Sequence, residues 1–156
     1  MRLRVIAIGT RMPDWVDAAV TDYLRRLRGH CKVELVELAS ASRRHGGGAA
    51  AAMAAEAHRI LALLTARDYV VALHERGAQR TTQELARWLQ ERRSSGQDLA
   101  FIIGGPDGLA EEVLARGHFR WSLSRLTLPH ALVRVLLMEQ LYRAATVLAG
   151  HPYHRE

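Results

Sequence analysis

The sequence has a single cysteine, Cys31, in 156 residues. No intramolecular disulfide can form and no thiolate cluster is available for zinc or an iron–sulfur centre, so a cytoplasmic setting and metal-free chemistry are expected. Lysine is equally scarce: Lys32 is the only one, and arginine supplies the rest of the 22 basic residues. Long apolar runs are missing as well. The run Val5 to Ile8 is shorter than the hydrophobic region of a secretory signal and soon meets a turn, which reads as a first strand. The most apolar segment near the C-terminus is broken by Arg134, Glu139 and Arg143, so a membrane span of about 20 uncharged residues is not expected. No repeat is visible.

What remains is an ordinary globular composition, 49% hydrophobic and 24% charged, with a formal net charge of +6 that favours an anionic partner such as nucleic acid. The length fits one domain, 1–156, around one core. Along the chain, Leu3 to Gly9 reads as a strand, and Met12-Pro13-Asp14 turns into a helix with Asp14 and Asp17 at capping positions. Val16, Val20, Tyr23 and Leu27 form its apolar stripe. A strand follows over 32–38. Residues 40–48, SASRRHGGG, have a linker's composition and read as a mobile loop before an Ala-rich helix over 49–66.

The pattern continues with a strand over 69–73, a loop over 74–80, a helix over 81–93 with Leu85, Trp88 and Leu89 inward, and a strand over 99–103. A short helix over 111–116 and a short strand over 121–124 precede a long helix opened by Pro129 and closed by Gly150. Strands and helices alternate throughout, which predicts an α/β fold with a mostly parallel sheet flanked by helices.

Two segments carry chemistry. In FIIGGPDGL, 101–109, the glycines are followed by Pro106 and Asp107 rather than Lys and Ser or Thr, which excludes a Walker loop. The first strand ends on Gly9 alone, so a dinucleotide fingerprint is absent. Asp107 would repel phosphate, leaving either a tight turn or a ligand without phosphate lying close to bare backbone. In WSLSRLTLPH, 121–130, serines, a threonine and an arginine alternate with leucines. Beside the glycine turn, its backbone and Leu123, Leu126 and Leu128 could line a pocket suited to an adenine.

These segments, with VIAIGTRMPDWV at 5–16, DYLRRL at 22–27, WSLSRLTLPHALVRVLLMEQLYRA at 121–144 and HPYHRE at 151–156, resemble the RlmH family of SPOUT methyltransferases from end to end. That family methylates N3 of a pseudouridine in the helix 69 loop of 23S ribosomal RNA. The resemblance implies one SPOUT domain with a C-terminal trefoil knot, S-adenosylmethionine bound in the knot, and a homodimer acting on the ribosome. Cofactor contacts would fall on Leu73, Gly104, Leu123, Ser124, Arg125, Leu126, Thr127 and Leu128. An acid is expected after Leu73 and a basic residue past Gly77, where this chain has His74 and Ala78. Two other readings are a non-catalytic ribosome-binding factor and a SPOUT enzyme acting on transfer RNA.

Methyl transfer needs alignment more than it needs a metal, and a protonated N3 needs a base or cations nearby. Glu139 and Arg143, four apart in the last helix, make either an intrahelical ion pair or an arginine held for RNA or cofactor. By the resemblance, the tail reaches the partner's active site, with Tyr153, His154 and Arg155 as candidates for proton removal and RNA contact. His151 and His154 lack further ligands for a metal. His130 is either a polar group at a helix start or a substrate contact. Arg43, Arg44 and His45 read as a phosphate-contacting loop, Arg25, Arg26 and Arg28 as a solvated face, Arg134 as structural or at a dimer seam, and Trp15 and Trp88 as packing. The last helix is apolar nearly all round, which predicts a second chain against it. Sedimentation at micromolar concentration is expected to show a dimer, and a species of one chain's mass alone would contradict it.

Overall fold

A computed structural model describes residues 1–44 and 46–155. Five strands, β1 (Leu3–Ile8), β2 (Val33–Leu38), β3 (Asp68–Ala78), β4 (Asp98–Ile103) and β5 (Phe119–Trp121), alternate with five helices, α1 (Asp14–Leu27), α2 (Gly48–Leu63), α3 (Thr82–Ser94), α4 (Glu111–Arg116) and α5 (His130–Ala149). The strands lie in the order β2-β1-β4-β3-β5, and every neighbouring pair is parallel. The α/β fold with a parallel sheet and flanking helices is therefore as the sequence predicts.

Side chains alternate across each strand, so both faces of the sheet are apolar. Leu3, Val5, Ala7, Val71, Leu99, Phe101 and Ile103 pack with α1, α3 and α5 on one side. Ile6, Ile8, Val70, Ala72, Ala100 and Ile102 pack with α2 and α4 on the other. The apolar girth of α5 has a reason within one chain, since α5 packs against α1 and α3 and over the sheet. Leu148, 42% exposed, is the large apolar side chain it leaves most open. Trp88 is buried as expected, but Trp15 is 58% exposed and packs in no core.

Several boundaries differ from the sequence reading. Pro13 is the N-cap of α1 and no side chain caps it; Asp14 and Asp17 lie in the first turn, where they favour the positive end of the helix dipole. The second helix stops at Leu63 rather than 66, because Thr65 donates its N–H and Oγ1 to the Asp68 carboxylate at 2.7 and 2.9 Å, forming a local turn. β3 does not stop at Leu73. Trp121 of β5 pairs with both Leu73 and Ala78, so the residues between them arch out and the strand resumes beyond the arch. β5 begins two residues early, at Phe119, and ends at Trp121, which frees residues 122–129 as a loop. At α3, Thr81 and Glu84 bond reciprocally as a capping box.

Two arginines are sunk in the fold. Arg4, 5% exposed, reaches the Asp68 carboxylate at 2.8 Å and the carbonyl of Leu63 at 2.9 Å, tying the end of α2 to the start of β3. Burial works to raise the Asp68 pKa, but the Thr65 and Arg4 bonds outweigh it and hold the carboxyl below its ordinary value. Its stabilising share is thus present above the unfolded value of 3.8 and is lost as pH falls through the lower folded one. Asp68→Ala leaves Arg4 unpaired and is expected to cost about 3–5 kcal/mol in urea unfolding at neutral pH. The deficit should shrink as wild type is taken into acid, and a deficit that does not change with pH would show that the ionised carboxylate is not its source.

Candidate functional site: a strand-end cavity and a C-terminal cluster

Parallel sheets present ligand sites where strands end, and here β4 and β5 end beside the arch in β3. Leu73, His74 and Glu75 from β3, Ile103 to Leu109 after β4, and Trp121 to Ser124 and Leu126 to His130 after β5 enclose a cavity of about 650 Å³. Its walls are apolar where leucines face it and polar where backbone does, and the size suits a nucleoside-sized ligand.

The glycine turn is built by exclusion. A Cβ on Gly104 would lie 2.7 Å from the carbonyl carbon of Gly108, and Gly108 itself holds φ at +81°. The turn folds back on itself, with Gly108 N–H donating to the Gly105 carbonyl at 3.1 Å. The first glycine is therefore required by the turn's own backbone, whatever ligand lies beside it.

The loop after β5 is set by its serines. Ser122 Oγ donates to the Ser124 carbonyl at 2.7 Å, and Ser124 Oγ accepts the Leu126 N–H at 2.9 Å. Of the cofactor candidates, Leu73, Gly104, Leu123, Ser124, Leu126, Thr127 and Leu128 all line the cavity. Arg125 does not: it stands exposed at the middle of the serine-bonded turn. Leu126 lines the cavity while 74% exposed.

Sequence reasoning passed over Glu75 and Trp121 as lining residues. No acid follows Leu73 directly, and His74 Nδ1 accepts the Arg76 N–H at 3.1 Å, but Glu75 brings a carboxylate to the cavity from the arch that splits β3. That arch was invisible because HERGAQR has a loop's composition. Trp121 and His130 also line the cavity, and the indole Nε1 and imidazole Nδ1 are buried without a hydrogen-bond partner. Burial first, and then the neighbouring Arg134, lower the His130 pKa, so it is a neutral ring at pH 7. Buried polar atoms of this kind normally have partners, so the cavity offers unmet hydrogen bonds to a polar, partly aromatic ligand. The lining fits S-adenosylmethionine: apolar walls, backbone of the glycine turn, and no Arg or Lys among the described lining residues.

The catalytic candidates gather elsewhere, along α5 and the single-turn helix Pro152–Arg155. Glu139 Oε1 accepts from Arg143 Nε at 2.7 Å and from the Tyr153 hydroxyl at 3.2 Å. The Arg143 guanidinium lies 4.7 Å from the Tyr153 ring centroid, and that ring packs 4.6 Å from Tyr142. The expected ion pair is present and also anchors the tail. Burial, then bonding to Tyr23 and the charge of Glu139, push the Tyr153 phenol well above its usual range, so it donates a proton rather than accepting one. His154 is half-buried with an unpartnered Nδ1, and Arg155 is exposed. None of Glu139, Arg143, Tyr153, His154 and Arg155 lines the cavity of this chain.

The other basic candidates are occupied. Arg134, 1% exposed, bonds Glu37 at 2.5 Å and the Gly9 carbonyl at 3.1 Å, and is structural. Arg25 and Arg26 pair with Asp22 on the solvated face of α1. Arg43 bonds Glu56 and Asp107 and is not free for phosphate; His45 lies outside the described residues. Among the described residues no cluster of three or more His, Cys, Asp or Glu could hold a metal, and no helix is long and apolar enough to cross a membrane.

Residues 1–154 match the family described as "Predicted SPOUT methyltransferase". Proteins named "Ribosomal RNA large subunit methyltransferase H" are similar along their full length. That of Chromohalobacter salexigens is 51% identical over 155 residues, covering 99% of this chain and 100% of its own. That of Thiobacillus denitrificans is 50% identical over 156 residues, covering 100% of both. Among solved structures, a probable methyltransferase from Bordetella pertussis shares the fold at a TM-score of 0.57 and 19% identity, covering 92% of this chain and 94% of that one. A probable methylase family protein from Haemophilus influenzae does so at 0.55 and 16%, covering 97% and 69%. A strand-end cavity walled by a self-folded glycine turn and the WSLSRLTLPH loop, with relatives at half identity along the whole chain, leaves one placement: the chain belongs to the SPOUT methyltransferase family, in the RlmH group.

Proposed function

We propose that the protein is an S-adenosylmethionine-dependent methyltransferase that modifies N3 of a pseudouridine in the helix 69 loop of 23S rRNA, working in the cytoplasm on the ribosome as a homodimer. The trefoil knot implied by the family belongs to the same reading. The observation that carries it is the cavity: every cofactor residue implied by the resemblance, save Arg125, lines the same strand-end cleft. The relatives' printed name supplies the substrate class.

When bound, the cofactor supplies a methyl group already activated on a sulfonium, so transfer is an in-line displacement at carbon. The chain's own part is alignment and charge. Leu73, Leu123, Leu126 and Leu128 would supply apolar wall to the cofactor, and Gly104 and Ser124 would help to hold it. Trp121 Nε1 and His130 Nδ1 are available to a ligand's polar edge. Glu75 at the rim is a carboxylate of the right sign to face a cationic donor.

The acceptor base must lose its N3 proton. Tyr153 donates to Glu139, so we assign it to seating the tail, with Glu139 fixing Arg143. His154 then remains as the candidate proton acceptor, with Arg143 and Arg155 stabilising the anionic ring and holding RNA phosphate. These groups do not line their own chain's cavity, so in the dimer each tail completes the partner subunit's site.

Incubation with labelled S-adenosylmethionine and assembled ribosomes, followed by nucleoside mapping, is expected to place label on the helix 69 loop. Label on transfer RNA with silent ribosomes would refute the substrate, and absence of calorimetric heat with S-adenosylmethionine would favour a pure binding factor. Deleting residues 151–156 is expected to lower kcat by roughly 10²-fold or more with cofactor affinity nearly unchanged. Equal loss of both would place the tail in the fold or in the cofactor pocket.

A further inference from the structure

We infer that Arg43 is a positioning residue for the cofactor cavity: it holds the glycine turn in place through Asp107, with Glu56 as the buried counter-charge that fixes the arginine. The inference rests on the cofactor reading above.

The geometry begins with Glu56 on α2, whose side chain is 3% exposed. Such a carboxylate needs a full set of donors. Glu56 takes the Ala41 N–H at 2.9 Å, Ser40 Oγ at 3.3 Å, and two nitrogens of Arg43 at 3.0 and 3.2 Å. The linker-like segment after β2 is thereby drawn down onto α2. The guanidinium is fixed further by the Ala41 carbonyl at 2.8 Å, and it turns its Nε outward to Asp107 Oδ2 at 2.6 Å. Arg43 stands 24% exposed and Asp107 38%. Among the described residues, Arg43 is the only hydrogen-bond partner of the Asp107 carboxylate.

Asp107 is the tip of the turn that walls the cavity. Its neighbours Gly104, Gly105 and Gly108 have no side chains to pack. Beyond the turn's own backbone, the Arg43 clamp is, among the described residues, the polar tie between the tip and the rest of the molecule. It also neutralises a carboxylate at the cavity lip. Two carboxylates face one guanidinium here, so an RNA phosphate would have to displace one of them to bind Arg43. The charge balance thus favours positioning over phosphate contact.

Asp107→Asn is the deciding variant because it leaves the Arg43–Glu56 pair, and with it the buried charge, intact. Its KM for S-adenosylmethionine is expected to rise roughly three- to tenfold, with kcat at saturating cofactor and KM for ribosomes within about twofold of wild type. Hydrogen exchange at the Gly108 amide should quicken in the cofactor-free protein. Adding Arg43→Met to Asp107→Asn should raise the cofactor KM no further, and Asp107→Glu should restore part of it. If Arg43→Met does not fold, since it strands Glu56, the two Asp107 variants still decide. Unchanged cofactor KM with unchanged exchange overturns the inference, and so does a rise confined to the ribosome KM, which would make the loop an RNA contact. A wild-type protein that shows no heat with S-adenosylmethionine would sink the functional reading and the cofactor half of this one. Exchange at Gly108, which needs no ligand, would still report separately on the clamp.

Discussion

The joint on which the site depends is a guanidinium with almost no water around it. Burying a charge costs several kcal/mol unless its partners are well placed, so Arg134 has few acceptable positions. It finds them at the ends of two strands, on Glu37 of β2 and on the carbonyls of Ile8 and Gly9 at the end of β1. Because Arg134 lies one turn into α5, those bonds set the rotation and depth of that helix over the sheet. The loop from Ser122 to Pro129 is then held at both ends, by β5 pairing and by α5, and its leucines roof the cavity. The neutral His130 beside Arg134 follows from the same burial.

Much of this architecture can be read from residue order alone. Two-residue alternation in the strands and Pro129 and Gly150 around the last helix act locally, and local signals survive folding. Errors came where distant partners decide. The arch in β3 depends on Trp121 pairing twice, a fact about a segment more than 40 residues away. Trp15 reads as packing by its chemistry and is exposed by its place on α1. Arg43 and Arg44 look alike in a basic stretch, yet only a carboxylate 13 residues on, and another on a separate loop, give Arg43 a fixed role. Arg4, Arg43 and Arg134 are held by internal carboxylates and are not offered to a polyanion, but each pair cancels in the count, so the formal charge of +6 is carried by other residues.

The candidate site was legible in an uneven way. One wall of the cavity is contiguous in sequence, so WSLSRLTLPH announces it. The C-terminal cluster is also nearly local, since Glu139 and Arg143 are one helical turn apart and Tyr153 folds back onto them after the left-handed Gly150. What sequence could not give is the direction of the protons. Only the folded chain has the Tyr153 hydroxyl donating to an already paired carboxylate, and only there do Trp121 and His130 leave buried nitrogens unpartnered at the cavity.

A sheet of five parallel strands has two open margins, and margins invite other chains to add themselves. On one margin β2 carries Glu34 and Glu37 among apolar residues and follows Lys32, and Arg2 and Arg134 pin those carboxylates in place. On the other, β5 is three residues long and then leaves the sheet. Fixed charge on one side and brevity on the other leave little template for strand addition. A molecule with this outline should remain dispersed at high concentration and resist fibril growth, even though its central strands are among the most apolar segments in the chain.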